Sequence, residues 1–126
     1  MGRRKMPTPS GIAYAAEAIP MAAHTVVSTY AQALQPLNGI AQAPVGSARW
    51  DAVVAAVVAL RSARESMALT ERRLLGLAVL SGGPIGQIAQ LMGVAPSTLA
   101  SQLAGTDARL LGERLVRDAA GQWVIA

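Results

Sequence analysis

Between Pro84 and Gly105 the chain reads PIGQIAQLMGVAPSTLASQLAG, and that order of residue types restricts the local fold more than any other stretch. Ile85, Ile88 and Leu91 recur at helical spacing. Gly93 then supplies a backbone able to take positive φ, and Pro96 has the ring geometry that suits the first turn of a helix. Leu99 and Leu103 follow one turn apart on the inner face. Ala89 is small where two helices must cross closely, and Val94 is expected to fill the space between them. The segment therefore predicts two short helices joined by a tight turn. Ser97, Thr98, Ser101 and Gln102 lie on the outer face of the second helix.

The flanks extend this pattern. Glu113 to Arg117 alternates as a strand does, Asp118-Ala119-Ala120-Gly121 is turn chemistry, and Gln122 to Ile125 holds a Trp and two β-branched residues, which predicts a hairpin. Trp123 is expected to pack back on the helices. On the other side, Thr70 is read as the cap of a helix from Glu71 to Leu80, with Leu74, Leu75, Leu77, Ala78 and Val79 turned inward. Ser81, Gly82 and Gly83 end it.

Ser47 is read as the cap of a preceding helix, with Asp51 in its first turn. Trp50, Val53, Val54, Val57 and Leu60 give that helix an apolar face, and Val58 with several alanines widens it almost all the way round. Such a helix must be buried, either in its own core or against a partner chain. Further upstream, short helices are expected near Ile12 to Ile19 and Met21 to Leu34, separated at Pro20. Gln35 to Gly46 holds Pro36, Asn38, Gly39, Pro44 and Gly46 and is read as the main linker. Residues 1–10 read as a basic arm punctuated by proline. The expected organisation is thus an arm over 1–10, helices and linker over 11–46, and a domain over 47–126 that includes a dimerisation helix at 47–66.

Hydrophobic residues make up 52% of the chain, much of it alanine, and Phe is absent. Alanine favours helix but buries little area, so a mostly α protein is expected, gaining buried surface by forming a homodimer. The net charge of +4 and isoelectric point near 10.7 favour an anionic partner. The absence of cysteine excludes disulfides, thiolate zinc sites and a thiol nucleophile, and suits a cytoplasmic setting. Pro7, Pro9, Ser10, Gly11, Glu17 and Pro20 interrupt what a leader peptide would need after Arg3, Arg4 and Lys5, so neither secretion nor a membrane partner is expected. His24 is the single histidine and has no acidic cluster around it in sequence. No nucleophile elbow, phosphate-binding glycine loop or metal-spaced ligand set is present, so the chain is expected to be no enzyme and to need no cofactor, metal or small-molecule ligand.

The stretch QIAQLMGVAPSTLASQLAG resembles the DNA-reading headpiece of the lactose-repressor family and, more loosely, the helix-turn-helix of Cro-like and phage repressors. In the first family the two side chains that open the recognition helix, and one a turn later, touch base edges. The resemblance carries those roles to Pro96, Ser97 and Ser101. The family's phosphate-contacting hydroxyls fall on Ala95, Thr98 and Ala100, of which only Thr98 keeps one. An arginine is common in that family at the position of Ser101. The layout departs from that family, because the motif is followed by the hairpin and no ligand domain is expected behind it. Helices followed by such a hairpin resemble a winged helix. The resemblance implies a mostly α, winged helix-turn-helix domain with a three-helix core and a C-terminal hairpin, to which the N-terminal helices add a dimer interface.

Electrostatics argue against a strong monomeric contact with DNA. From Leu74 to Thr106 no side chain is charged, although phosphate neutralisation dominates affinity for duplex. Contacts to the backbone are therefore expected from Arg72 and Arg73 before the motif, from Arg109, Arg114 and Arg117 after it, and from Arg3, Arg4 and Lys5 in the arm. Base contacts are expected from Ser97, Ser101 and Gln102, with Gln87, Pro96 and Thr98 completing the surface. The expected function is a homodimeric transcriptional repressor that binds double-stranded DNA at an inverted repeat. Two other uses stay open here: a plasmid or phage protein of replication, partition or packaging, and an adaptor that uses a winged helix to bind another protein.

Overall fold

The computed structural model describes residues 5–126. Four helices, α1 (Pro9–Gln42), α2 (Trp50–Leu80), α3 (Ile85–Met92) and α4 (Pro96–Leu103), are followed by a 3₁₀ turn at Asp107–Leu110 and by two strands, β1 (Leu115–Arg117) and β2 (Trp123–Ile125). The strands pair antiparallel with Val116 opposite Val124 and Arg117 opposite Trp123. The protein is mostly helical with one small sheet, and the hairpin lies where its turn chemistry places it.

The N-terminal half differs from the sequence reading. In place of two short helices and a long linker, α1 runs unbroken through Pro20, Pro36, Asn38 and Gly39. Pro20 removes the one amide that would bond the Ala16 carbonyl, a local loss that the alanines on either side tolerate through their helix propensity. The connection shrinks to residues 43–49. There the Ser47 hydroxyl donates to the Pro44 carbonyl at 2.7 Å, closing a turn three residues ahead of α2 and capping nothing. Likewise α2 does not restart at Glu71: the Thr70 hydroxyl donates back to the Met67 carbonyl at 2.8 Å inside a continuous helix.

Residues 5–8 lie ahead of α1 outside any helix or strand and are anchored. Thr8 Oγ1 donates to the Glu113 carbonyl at 2.7 Å and accepts from the Gly11 amide at 3.0 Å. Thr8 thus caps α1, with Pro9 at the first helical position. The Ser10 hydroxyl accepts from the Leu115 amide at 2.8 Å. The arm read over 1–10 is therefore, among the described residues, a cap stitched to the base of β1.

The chain divides into two compact units. One joins residues up to Ala23 with Arg72–Ala126. It holds two buried clusters, one around Ala15, Leu77, Leu80, Leu110 and Leu115, the other around Val79, Ala89, Leu99 and Leu103. Leu80, Leu99 and Leu103 are its largest fully enclosed side chains, and each contributes roughly 2 kcal/mol by leaving water. The second unit, His24–Glu71, pairs the rest of α1 with the first two thirds of α2. Its buried residues are Ala33, Ala56, Met67 and Thr70, and the Tyr30 phenol donates to Glu71. That carboxylate, with some help from burial, holds the Tyr30 phenol above its ordinary pKa. Trp50, Val53, Val54, Val57 and Val58 on α2 are exposed.

Candidate nucleic-acid interface

The turn between α3 and α4 is set by Gly93, at φ 71° and ψ 28°. Its amide donates to Gln90 O at 3.2 Å, and the Val94 amide donates to Ala89 O at 3.0 Å, the paired bonds that close a helix through a left-handed residue. Val94 packs against the inner cluster, where Ala89 is completely enclosed. Pro96 opens α4 after the extended Ala95. That start leaves the Ser97 and Thr98 amides outside the helical ladder.

On α4, Leu99 and Leu103 point inward and are 1% exposed, while Pro96, Ser97, Thr98, Ser101 and Gln102 are all exposed. Gln87 is exposed on α3. One expected core residue is not there. Leu91 is 88% exposed, because at about 100° per residue it sits roughly 110° from the centre of the face formed by Ile85, Ile88 and Ala89. Met92 beside it is also exposed.

Arg72 and Arg73 are exposed in the last third of α2, Arg109 in the 3₁₀ turn, and Arg114 just before β1. Among the described residues no ion pair engages these four side chains. Arg117 is different. Its Nη2 donates to both carboxylate oxygens of Glu17, its Nη1 donates to the Gly121 carbonyl at 2.8 Å, and its guanidinium lies 4.6 Å from the centre of the Trp123 ring. The residue acts as a clamp between α1 and the hairpin. Lys5 is exposed beside Gly112, whereas Arg3 and Arg4 lie outside the described residues.

Two side chains that sequence reasoning passed over position the hairpin. Glu17 also accepts from Trp123 Nε1 at 2.8 Å, and the hydrogen bonds from Trp123 and then Arg117 hold its carboxyl below the ordinary range. Tyr14 packs edge-on against Trp123, centroids 6.1 Å apart, and donates to Asp107 Oδ2 at 2.6 Å. Burial first, then that bond to a carboxylate, pushes the Tyr14 phenol up to about 12. Neither carries a sequence signal beyond being a polar residue at helical spacing on α1. At the hairpin tip, Asp118 Oδ1 accepts from the Ala120 and Gln122 amides at 2.9 Å each, so the tip presents a carboxylate and two alanines, with no cation.

Among the described residues no cluster of His, Asp or Glu could hold a metal ion, and no helix is long and apolar enough to cross a membrane. No family model, curated protein or solved structure matches the chain.

Proposed function

We propose that the protein is a winged helix-turn-helix DNA-binding regulator, acting without catalysis as a homodimeric repressor. The observation that carries the reading is α4: a helix fixed from behind by two fully buried leucines and mounted on a left-handed glycine, with hydroxyl and amide side chains along its open side. Side chains of that kind donate and accept at base edges in a major groove. Phosphate contacts come from Arg72, Arg73, Arg109, Arg114 and Lys5, around a motif that itself carries no charge. With so few cations per copy, useful affinity requires two copies on half-sites about 34 Å apart. The exposed apolar side chains of the His24–Glu71 unit support pairing of two copies. Repression follows from covering a promoter.

Titration of fluorescent duplexes at two salt concentrations tests the reading. A selected operator should bind far more tightly than random duplex, and both affinities should fall as salt rises. Equal affinity for every duplex, or no salt dependence, would sink it.

A specific feature favours one other reading. Leu91 and Met92 leave two large apolar side chains exposed at the end of α3, which suits an adaptor that binds another protein. Replacing Ser97 and Ser101 by glutamate separates the two: DNA binding is lost, whereas an adaptor working through Leu91 and Met92 keeps its partner.

A further inference from the structure

A cavity of about 580 Å³ opens beside the start of α3, within the range typical of small-molecule sites. Its walls belong to one compact unit. Met6, Pro7, Val79, Ile85 and Leu111 give it an apolar lining, and Lys5, Gln87 and Gln90 are its polar side chains. Among the described residues Lys5 is the only charged group in the lining, and no carboxylate among them pairs with its ammonium. The wall formed by residues 5–7 is held in place, because Thr8 is bonded to the Glu113 carbonyl and the Lys5 stem lies against Gly112.

Gly86 adds a second observation. It lies in the first turn of α3 and in the cavity lining, and a Cβ built there meets nothing within 4 Å. Its backbone is not in the left-handed region. Neither local packing nor conformation calls for glycine here, and because Gly86 lines the cavity a larger side chain would stand at its wall.

We propose that this cavity binds a small organic monocarboxylate with an apolar body, and that carboxylate and DNA compete for Lys5 and Gln87. The second clause rests on the DNA-binding reading; the first does not. One ammonium matches one carboxylate, the two glutamine amides donate to its oxygens, and the apolar wall covers the hydrocarbon. A phosphate of the DNA backbone could use Lys5 and Gln87, but it would leave that wall uncovered. The sequence reading expects no small-molecule ligand, because residues 5–7 and 111 meet α3 only in the folded chain.

Calorimetric titration of the full chain with hexanoate and 4-phenylbutyrate, each beside its primary amide, tests the site without DNA. Saturable one-to-one binding of the acids is expected, with the amides at least about tenfold weaker, as loss of a charge-assisted hydrogen bond implies. Lys5→Met should erase that preference. Gly86→Leu should abolish binding without lowering the melting temperature. Equal binding of acid and amide, no binding of either, or binding untouched by Gly86→Leu would overturn the proposal whatever the protein does with DNA. On an operator duplex, saturating phenylbutyrate should raise the Kd roughly tenfold in the native protein and leave Gly86→Leu unaffected. If no acid binds and Gly86→Leu weakens duplex binding instead, the cavity is a seat for a backbone phosphate and the proposal fails. Absence of duplex binding in the salt titration would remove the regulator reading and leave the calorimetric result standing.

Discussion

Arg117 donates through one nitrogen to both carboxylate oxygens of Glu17, each at 2.5 Å, and so ties the last residue of β1 to the third turn of α1. Trp123, opposite Arg117 across the hairpin, donates to the same carboxylate at 2.8 Å. An arginine that sequence position alone would assign to DNA is thereby committed to holding the hairpin. Arg117→Ala should accordingly loosen the hairpin and lower the melting temperature, whereas it should leave the salt dependence of any duplex binding unchanged.

The same contact predicts a pH response. Hydrogen bonds from Trp123 and Arg117 lower the Glu17 pKa below 4.5 in the folded chain. A carboxyl depressed on folding stabilises the protein above its unfolded pKa, and that contribution disappears as pH falls through the folded value. Trp123 fluorescence, followed in a Trp50→Phe background, should change with acidification below about pH 4.5, before global unfolding. Glu17→Gln should start from a lower melting temperature at neutral pH and should lack this acid transition.

Tyr14 works in the opposite direction. Its phenol is raised from 10.0 to about 12, so its contribution is complete below pH 10 and fades as pH rises toward 12. Tyr14→Phe should cost about 1–2 kcal/mol at neutral pH, the range for a partly buried hydrogen bond to a carboxylate. Chemical denaturation between pH 9 and pH 12 checks the window. Tyr30 is raised as well, so the series belongs in a Tyr30→Phe background, where the variant should lose the alkaline slope that Tyr14 retains.

Two glycines separate conformational from steric demand. Gly93 sits at φ 71° with open space where a Cβ would go, so Gly93→Ala should cost about 1–2 kcal/mol through backbone strain alone. Gly93→Asn should recover part of it. At Gly76 the backbone is helical, but a Cβ would lie 2.2 Å from Thr106 Oγ1, a hydroxyl already donating to the Leu103 carbonyl at 2.6 Å. Gly76→Ala should therefore destabilise by about 1–3 kcal/mol, and Thr106→Ser, with one methyl fewer, should not rescue it. Denaturant melts of the four variants rank them.

What the sequence disclosed follows from how local each signal is. Gly93, Pro96 and the Asp118–Gly121 turn act within four or five residues, and they lie where their chemistry places them. Pro20, Pro36 and Gly39 are equally local breakers, but the alanine-rich stretch around them and the anchoring of α1 at Thr8 and Ser10 outweigh them. Thr70 has the composition of a cap and the position of a mid-helix residue. Only the continuity of α2, a tertiary outcome, distinguishes the two. Leu91 falls off the buried face because apolar spacing of three fits a helix face without fixing its centre. The roles of Glu17 and Lys5 depend on segments about a hundred residues away, which periodicity cannot reveal.

The His24–Glu71 unit predicts its own assembly state. Trp50 is 76% exposed and Val57 is 44% exposed, so charge at either site is tolerated in a free chain. At a dimer interface the same charge would be buried without a partner, at a cost of several kcal/mol. Sedimentation velocity at micromolar concentration should give a dimer for the native protein and a monomer of equal thermal stability or less for Trp50→Glu with Val57→Glu. A native protein that sediments as a monomer would remove the homodimer from the proposal.

The most discriminating prediction concerns which arginines meet phosphate. Arg72, Arg73, Arg109 and Arg114 are exposed and, among the described residues, unpaired, whereas Arg117 is bound to Glu17. Each phosphate contact contributes about one unit to the slope of log K against log salt. Arg72→Ala with Arg73→Ala should reduce that slope by about two and weaken operator and random duplex alike. Gln102→Ala, on the polar side of α4, should instead leave the slope intact and cut discrimination at one base position by about 1–3 kcal/mol. Competition titrations over a range of salt separate the two behaviours. If the double arginine variant kept the native slope while Arg117→Ala lost it, the duplex would be meeting the hairpin and not α2, and the orientation proposed for α4 would have to be abandoned.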